Sequence, residues 1–159
     1  MYEILVPTPQ QCFLLQQHKI NFDGIFLYWC LTNSRLEDIN KVEWILFENP
    51  RLEIEIKYTE TKERENCSCC IFDYLPAPTL DMLLDKLPSR IILDKEKELF
   101  GTFQLLKFTM PKANEIYYCP SYIDIKSQET VDELSAVDTS FADSLSKLLI
   151  KLKKKDYIK

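Results

Sequence analysis

Strict alternation marks Arg51 to Tyr58. Leu52, Ile54, Ile56 and Tyr58 share one face, and Glu53, Glu55 and Lys57 share the other. That period belongs to an antiparallel strand buried on one side and wet on the other. Val42 to Phe47 precedes it across Glu48-Asn49-Pro50, which predicts a hairpin. Cys67 to Tyr74 returns as a third strand. Ile25 to Leu31 is continuously bulky between Gly24 and Thr32-Asn33, so it reads as a strand covered on both faces. Ser34 to Asn40 is polar and reads as a loop. Ile91 to Leu93 is a short strand, and Asp94-Lys95-Glu96-Lys97 is its turn. Leu99 to Met110 is a longer strand. Its apolar phase changes between Phe103-Leu105 and Leu106-Phe108, which predicts a bulge. Pro111 to Asn114 closes a hairpin to Ile116-Tyr117-Tyr118-Cys119, and Pro120, lacking an amide donor, predicts a sheet edge.

The period changes to that of a helix in three places. Thr8-Pro9-Gln10-Gln11 opens the first, with Thr8 as N-cap, Pro9 at the first helical position and Gln11 completing a capping box. This helix runs through His18 and ends near Asn21 to Gly24. Leu75-Pro76-Ala77-Pro78 is an extended lead-in to the second. There Thr79 caps, Asp81 favours the first turn, Leu80, Leu83, Leu84 and Leu87 form the buried stripe, and Pro88 stops the helix. Ser140 caps the third, with Asp143 in capping-box position. Its stripe is Phe141, Leu145, Leu148, Leu149 and Leu152. Ser127 to Val137 is acidic and only partly periodic. Runs of strands with separate helices predict an α+β fold: an antiparallel sheet of meanders and hairpins with about three helices packed on one side. The expected organisation is a single domain over residues 1–159, with 153–159 a basic, frayed tail.

Composition narrows the function. Two Gly in 159 residues argue against phosphate-cradling loops and dinucleotide fingerprints. One His, His18, argues against His-based zinc centres and Ser-His-Asp machinery. The net charge of −5 argues against nucleic-acid binding, because phosphate neutralisation and counterion release need positive surface. The charge is uneven, however. Lys147, Lys151, Lys153, Lys154, Lys155 and Lys159 stand near the C-terminus against Asp156 alone. The ordinary reading is cations at a helix C-terminus followed by a solvated end. The alternative is polyanion contact through Lys151, Lys153, Lys154 and Lys155. No apolar run is long enough for a transmembrane helix, and Met1 to Val6 does not resemble a signal peptide. The expected location is the cytoplasm, with the six Cys reduced.

The cysteine cluster Cys67-Ser68-Cys69-Cys70 is the one candidate metal site. Zinc wants four converging ligands. On a strand, Cys67 and Cys69 face one way and Cys70 the other, so the small-thiol reading is preferred. A Cys-His nucleophile pair is no better supported. Cys12 and His18 point about 240° apart on a helix, and Cys30 has nothing to place it near His18. Glu53 and Glu55 share a wet strand face and serve solubility better than a two-carboxylate site. Glu129, Asp132, Glu133 and Asp138 read as an acidic patch at a helix entry, without calcium-loop spacing. Phe26, Tyr28, Trp29, Phe103, Phe108, Tyr117 and Tyr118 are interleaved with aliphatic residues, as in a core. Tyr117 and Tyr118, with Glu53 and Glu55, are the candidate partner surface, since aromatic residues supply binding hot spots.

Two segments carry a resemblance. Val6-Pro7-Thr8-Pro9-Gln10-Gln11-Cys12-Phe13 runs to Ile20-Asn21-Phe22 and an aromatic strand. Tyr74-Leu75-Pro76-Ala77-Pro78-Thr79-Leu80-Asp81-Met82-Leu83-Leu84-Asp85-Lys86-Leu87-Pro88 leads to strands and a C-terminal helix. In this order of elements the chain resembles small uncharacterised proteins of Bacteroidetes genomes and of their phages and prophages. The resemblance implies a phage or mobile-element origin and no catalytic residue. The expected function is a non-catalytic protein-interaction module, not an enzyme, without cofactor and without membrane attachment. Its partner would be another protein, with self-association as a further expectation. A virion structural or accessory component is the alternative. A Cys-based metal protein or small hydrolase built on Cys67, Cys69 and Cys70 is the second alternative.

Overall fold

A computed structural model of the chain describes residues 5–33, 42–48, 71–110 and 114–158. Its elements are α1 (Pro9–Gln17), β1 (Leu27–Asn33), β2 (Val42–Glu48), β3 (Ile71–Pro76), α2 (Leu80–Asp85), β4 (Arg90–Asp94), β5 (Leu99–Met110), β6 (Glu115–Asp124), β7 (Thr130–Ser135) and α3 (Phe141–Lys154). Among the described residues all strand pairings are antiparallel and three helices stand with them, so the fold is α+β. The chain divides into two compact units, residues 23–77 and residues 1–22 with 78–159. The expected strand over Arg51 to Tyr58, the loop over Ser34 to Asn40 and the cysteine cluster Cys67, Cys69 and Cys70 lie outside the described residues.

In the smaller unit the strand order is β2-β1-β3. The bulky segment forms the middle strand. Leu27, Trp29 and Cys30 are buried. Because successive side chains alternate faces, burial at both Trp29 and Cys30 means both faces are covered. Trp44 of β2 pairs with Leu31, so both tryptophans of the chain stand in this sheet. Among the described strands β3 is at the edge of this sheet, and Pro76 ends it opposite Tyr28, so its missing donor leaves no bond to a described strand open. Ala77 then donates its amide to the Leu27 carbonyl at 2.9 Å.

The larger unit holds a meander, β4-β5-β6-β7, with α3 packed on β6 and β7 and with α1 and α2 packed on α3. Leu145, Leu148, Leu149 and Leu152 of α3 are fully buried. Each such side chain contributes roughly 2 kcal/mol, which is what docks the helix. Leu145 and Leu149 join Leu15, Ile20 and Leu83 in one apolar cluster. Leu148 and Leu152 join Ile91, Tyr122 and Leu134 in another. After Lys154 the chain turns back. The Tyr157 amide donates to the Leu152 carbonyl at 2.9 Å, and Tyr157 and Ile158 pack on these clusters.

Four local expectations change. α1 stops at Gln17, and neither Thr8 nor Thr79 makes a side-chain cap. β5 pairs with β6 in unbroken register from Gly101–Asp124 to Met110–Glu115, so no bulge interrupts that ladder. The apolar phase changes instead because residues 105–110 are exposed on both faces, which removes the reason for alternation. Pro120 is fully buried within β6, between β5 and β7, and not at an edge. Tyr118 N donates to Asp138 and Asp124 N to Glu129, so the even positions of β6 turn their amides toward β7. The missing donor of Pro120 therefore faces Ala136, where only the Pro120 carbonyl is used, accepting from the Ala136 amide at 3.1 Å, and the register of the β6–β7 ladder shifts only after Ser121. The acidic Ser127–Val137 stretch contains β7, whose Leu134 is buried while its charges face solvent.

Candidate functional site

The outer half of the β5–β6 hairpin forms an arm with both faces exposed. Leu105 is 41% exposed, Leu106 48%, Met110 46% and Ile116 44%. A large aliphatic group in that state leaves apolar area in water that a partner could cover. Phe108 and Tyr117, directly opposite in register, stack with ring centroids 5.8 Å apart. The Tyr117 hydroxyl donates to Glu115 Oε2 at 2.9 Å, and that charge raises its pKa above the ordinary phenol value. These contacts hold the tip of the arm in shape.

The arm also has an open edge. β4 accompanies β5 only as far as Thr102, and the Phe103 amide donates to the Ser89 carbonyl beyond the end of β4. Past that point no described strand lies along β5. Phe103 turns its amide outward, so Leu105, Lys107 and Thr109, two residues apart, do the same. Among the described residues their amides and carbonyls form a short template without a strand partner.

Of the expected partner residues, Tyr117 is on the arm. Tyr118, on the opposite face of β6, stacks on Phe141 with centroids 5.1 Å apart and has the Lys107 ammonium 5.8 Å from its ring. It ties the base of the arm to α3 and is half-buried. Glu53 and Glu55 lie outside the described residues. The sequence reading missed Leu105, Leu106, Met110 and Ile116. The available signal was the lost alternation in Leu105-Leu106-Lys107-Phe108-Thr109-Met110, which fits a strand without a covered face.

The four lysines expected to meet a polyanion differ in their partners. Lys155 pairs with Glu133, and the Lys151 ammonium donates to the Ser135 carbonyl at 2.5 Å. Lys153 and Lys154 have no ion pair among the described residues. The Glu133 carboxyl is held below its ordinary pKa by the Lys155 ammonium.

The three described thiols, Cys12, Cys30 and Cys119, are buried or half-buried. Cys12 is buried, and its Sγ contacts the Pro7 carbonyl at 3.6 Å. Burial, with the Asp143 charge adding, pushes its pKa up to about 12. Burial pushes Cys30 up to about 11. Cys119 is also raised by burial, against the Lys151 charge. Thiols in this state are poor nucleophiles, since the thiolate is the reactive form. His18 is the C-cap residue of α1. Among the described residues, no three His, Cys, Asp or Glu side chains converge as metal ligands, and no helix is long and apolar enough to cross a membrane.

No family model, curated protein or solved structure matches the chain.

Proposed function

We propose that this chain is a non-catalytic protein-interaction module whose contact surface is the β5–β6 arm. It would act in the cytoplasm of a bacterial host on behalf of a phage or mobile element, the origin that its sequence resemblance implies. The observation that carries the reading is the arm itself: exposed Leu105, Leu106, Met110 and Ile116 beside a strand edge that no described strand pairs. An extended segment of the partner would add to that edge through main-chain bonds, with its side chains covering the arm's apolar groups.

Two substitutions test this without touching the core. Lys107→Pro removes one outward donor, and the β6 ladder does not use that amide. Leu106→Glu places a charge among the apolar groups of the arm. Full-length protein, isolated from cells that naturally make it, should bring down a partner in stoichiometric amount. Both variants should lose that partner while melting at the wild-type temperature. Retention of the same partner by both variants overturns the reading. A second copy of the chain as partner would appear as a dimer in sedimentation that either substitution dissociates.

A further inference from the structure

A cavity of about 550 Å³ opens between α1, the segment after β7 and the last two turns of α3. That size lies within the range of small-ligand sites. Its apolar lining comes from all three elements: Leu14 of α1, Ala136 and Val137 after β7, and Ile150 of α3. Lys147, Lys151 and Lys154 line it along α3. These lysines are four and three residues apart, so they share one helix face.

The three ammonium groups differ in how their charge is met. Lys147 is neutralised by Asp138 at 2.5 Å. Lys151 is half-buried, and its ammonium donates to the Ser135 carbonyl, an uncharged acceptor. Among the described residues no carboxylate pairs with Lys151 or with the exposed Lys154. A charge drawn out of water is unfavourable without an opposite charge beside it. An ammonium has three donors, so Lys151 keeps further donors after Ser135 is served. Ser135 itself lines the cavity, so this bond holds the Lys151 ammonium there and a ligand need not order it. The helix dipole accounts for cations in the last turn of α3. It does not account for an apolar cavity beside them, with Val137 left 47% exposed.

We propose that this cavity binds an aliphatic carboxylate, a single negative charge on a hydrocarbon chain of medium length. The carboxylate would meet Lys151 and Lys154 and supply the charge that the described residues do not. The chain would cover Leu14, Ala136, Val137 and Ile150. Both parts of the lining, cationic and apolar, then have a complementary group in one molecule. This site is separate from the β5–β6 arm and does not depend on the arm's role.

Titration of full-length, isotopically labelled protein with octanoate, kept below its micelle-forming concentration and followed by amide resonances, tests the proposal. Shifts should concentrate at Leu14, Ala136, Val137, Ile150, Lys151 and Lys154 and should saturate at millimolar probe. Octanol, which has the chain without the charge, should bind about tenfold more weakly, and Lys154→Gln should weaken octanoate roughly threefold. Val137→Glu acts at an exposed position and places a carboxylate of the protein's own beside the lysines. It should abolish the octanoate response while leaving the melting temperature equal to or above wild type. Octanol binding as tightly as octanoate shows the lysines idle, and acetate binding as tightly shows the apolar lining idle; either overturns the proposal. So does the lack of saturation, or a set of shifts centred on the β5–β6 arm. Association with phosphatidylglycerol vesicles without a saturable octanoate response overturns it in favour of a membrane surface.

Discussion

The Thr8 backbone amide donates to Asp143 Oδ1 at 2.7 Å across 135 positions of sequence. One carboxylate thereby joins the entry of α1 to the first turn of α3. The Ser140 hydroxyl accepts from the Asp143 amide at 3.2 Å, while the Ser140 amide donates to Asp138 Oδ1 at 2.9 Å. The reciprocal half of the capping box is thus made by Asp138, which frees the Asp143 side chain for the long-range bond.

Asp143→Ala should therefore destabilise the larger unit by about 1–3 kcal/mol, because a part-buried amide loses its partner. Asp143→Asn keeps an oxygen acceptor and should cost less than half as much. Urea denaturation followed by far-ultraviolet circular dichroism measures both. Equal losses for the two variants would assign the effect to something other than the Thr8 bond.

The two carboxylates at this helix entry titrate with opposite consequences. Burial pushes Asp138 up, but the Lys147 ammonium and the Ser140 and Thr139 amides outweigh it and hold its pKa below the ordinary value. Its contribution is present above the unfolded pKa and is lost as pH falls through the folded one. Asp143 is raised by burial against its bonds to Thr8, with the Asp138 charge adding to the rise. Its contribution is fully present below the unfolded pKa and is lost as pH rises through the folded one. Between about pH 3 and 6, Asp138→Asn should flatten the rise of stability with pH, and Asp143→Asn should steepen it. Slopes that move in the same direction would contradict this assignment.

Core and arm should respond differently to shortening. Leu149→Ala removes a fully buried side chain and should cost about 2–5 kcal/mol. Leu106→Ala acts on a residue 48% exposed and should change stability by no more than about 0.5 kcal/mol. Comparable losses at the two positions would mean that the arm is packed rather than free.

Gly101 is a packing glycine. A Cβ there would stand 3.0 Å from Ile91 Cγ1, in the neighbouring strand β4. Gly101→Ala should destabilise by about 1–3 kcal/mol through overpacking. Ile91→Ala opens the required space, so the two substitutions together should cost less than the sum of their separate effects. Strict additivity in thermal melts would remove the steric account.

The buried thiols give a chemical readout. Cys12, pushed up to about 12, and Cys30, pushed up to about 11, should resist alkylation at neutral pH in the folded protein. Site-resolved mass spectrometry after iodoacetamide treatment should show both labelled only as denaturant unfolds their units. Labelling of Cys12 at the rate of a free thiol without denaturant would contradict the buried, protonated state.

Elements whose side chains face a core were legible. Leu83, Leu145, Leu148, Leu149 and Leu152 fall at helical spacing and are all buried. Ser140 caps α3, its hydroxyl accepting from the Asp143 amide, as its type prefers. Thr8 and Thr79 are the same kind of residue and make no side-chain cap, so residue type alone does not decide the geometry. Pro120 misleads because an interior strand can lose a single donor while its carbonyl still accepts from the next strand, as it does from Ala136. β7 is hidden by its charges, with Glu133 committed to a lysine 22 residues away. The arm is least legible of all, because it depends on a neighbouring strand that is missing among the described residues.

Trp29 and Trp44 both stand in the β2-β1-β3 sheet, and the chain has two Trp in all. Indole emission therefore originates in residues 23–77 and not in the unit that carries the arm. A fluorescence melt and a whole-chain melt coincide only if the two bodies come apart together. Any gap between the curves measures their cooperativity directly, with no label added.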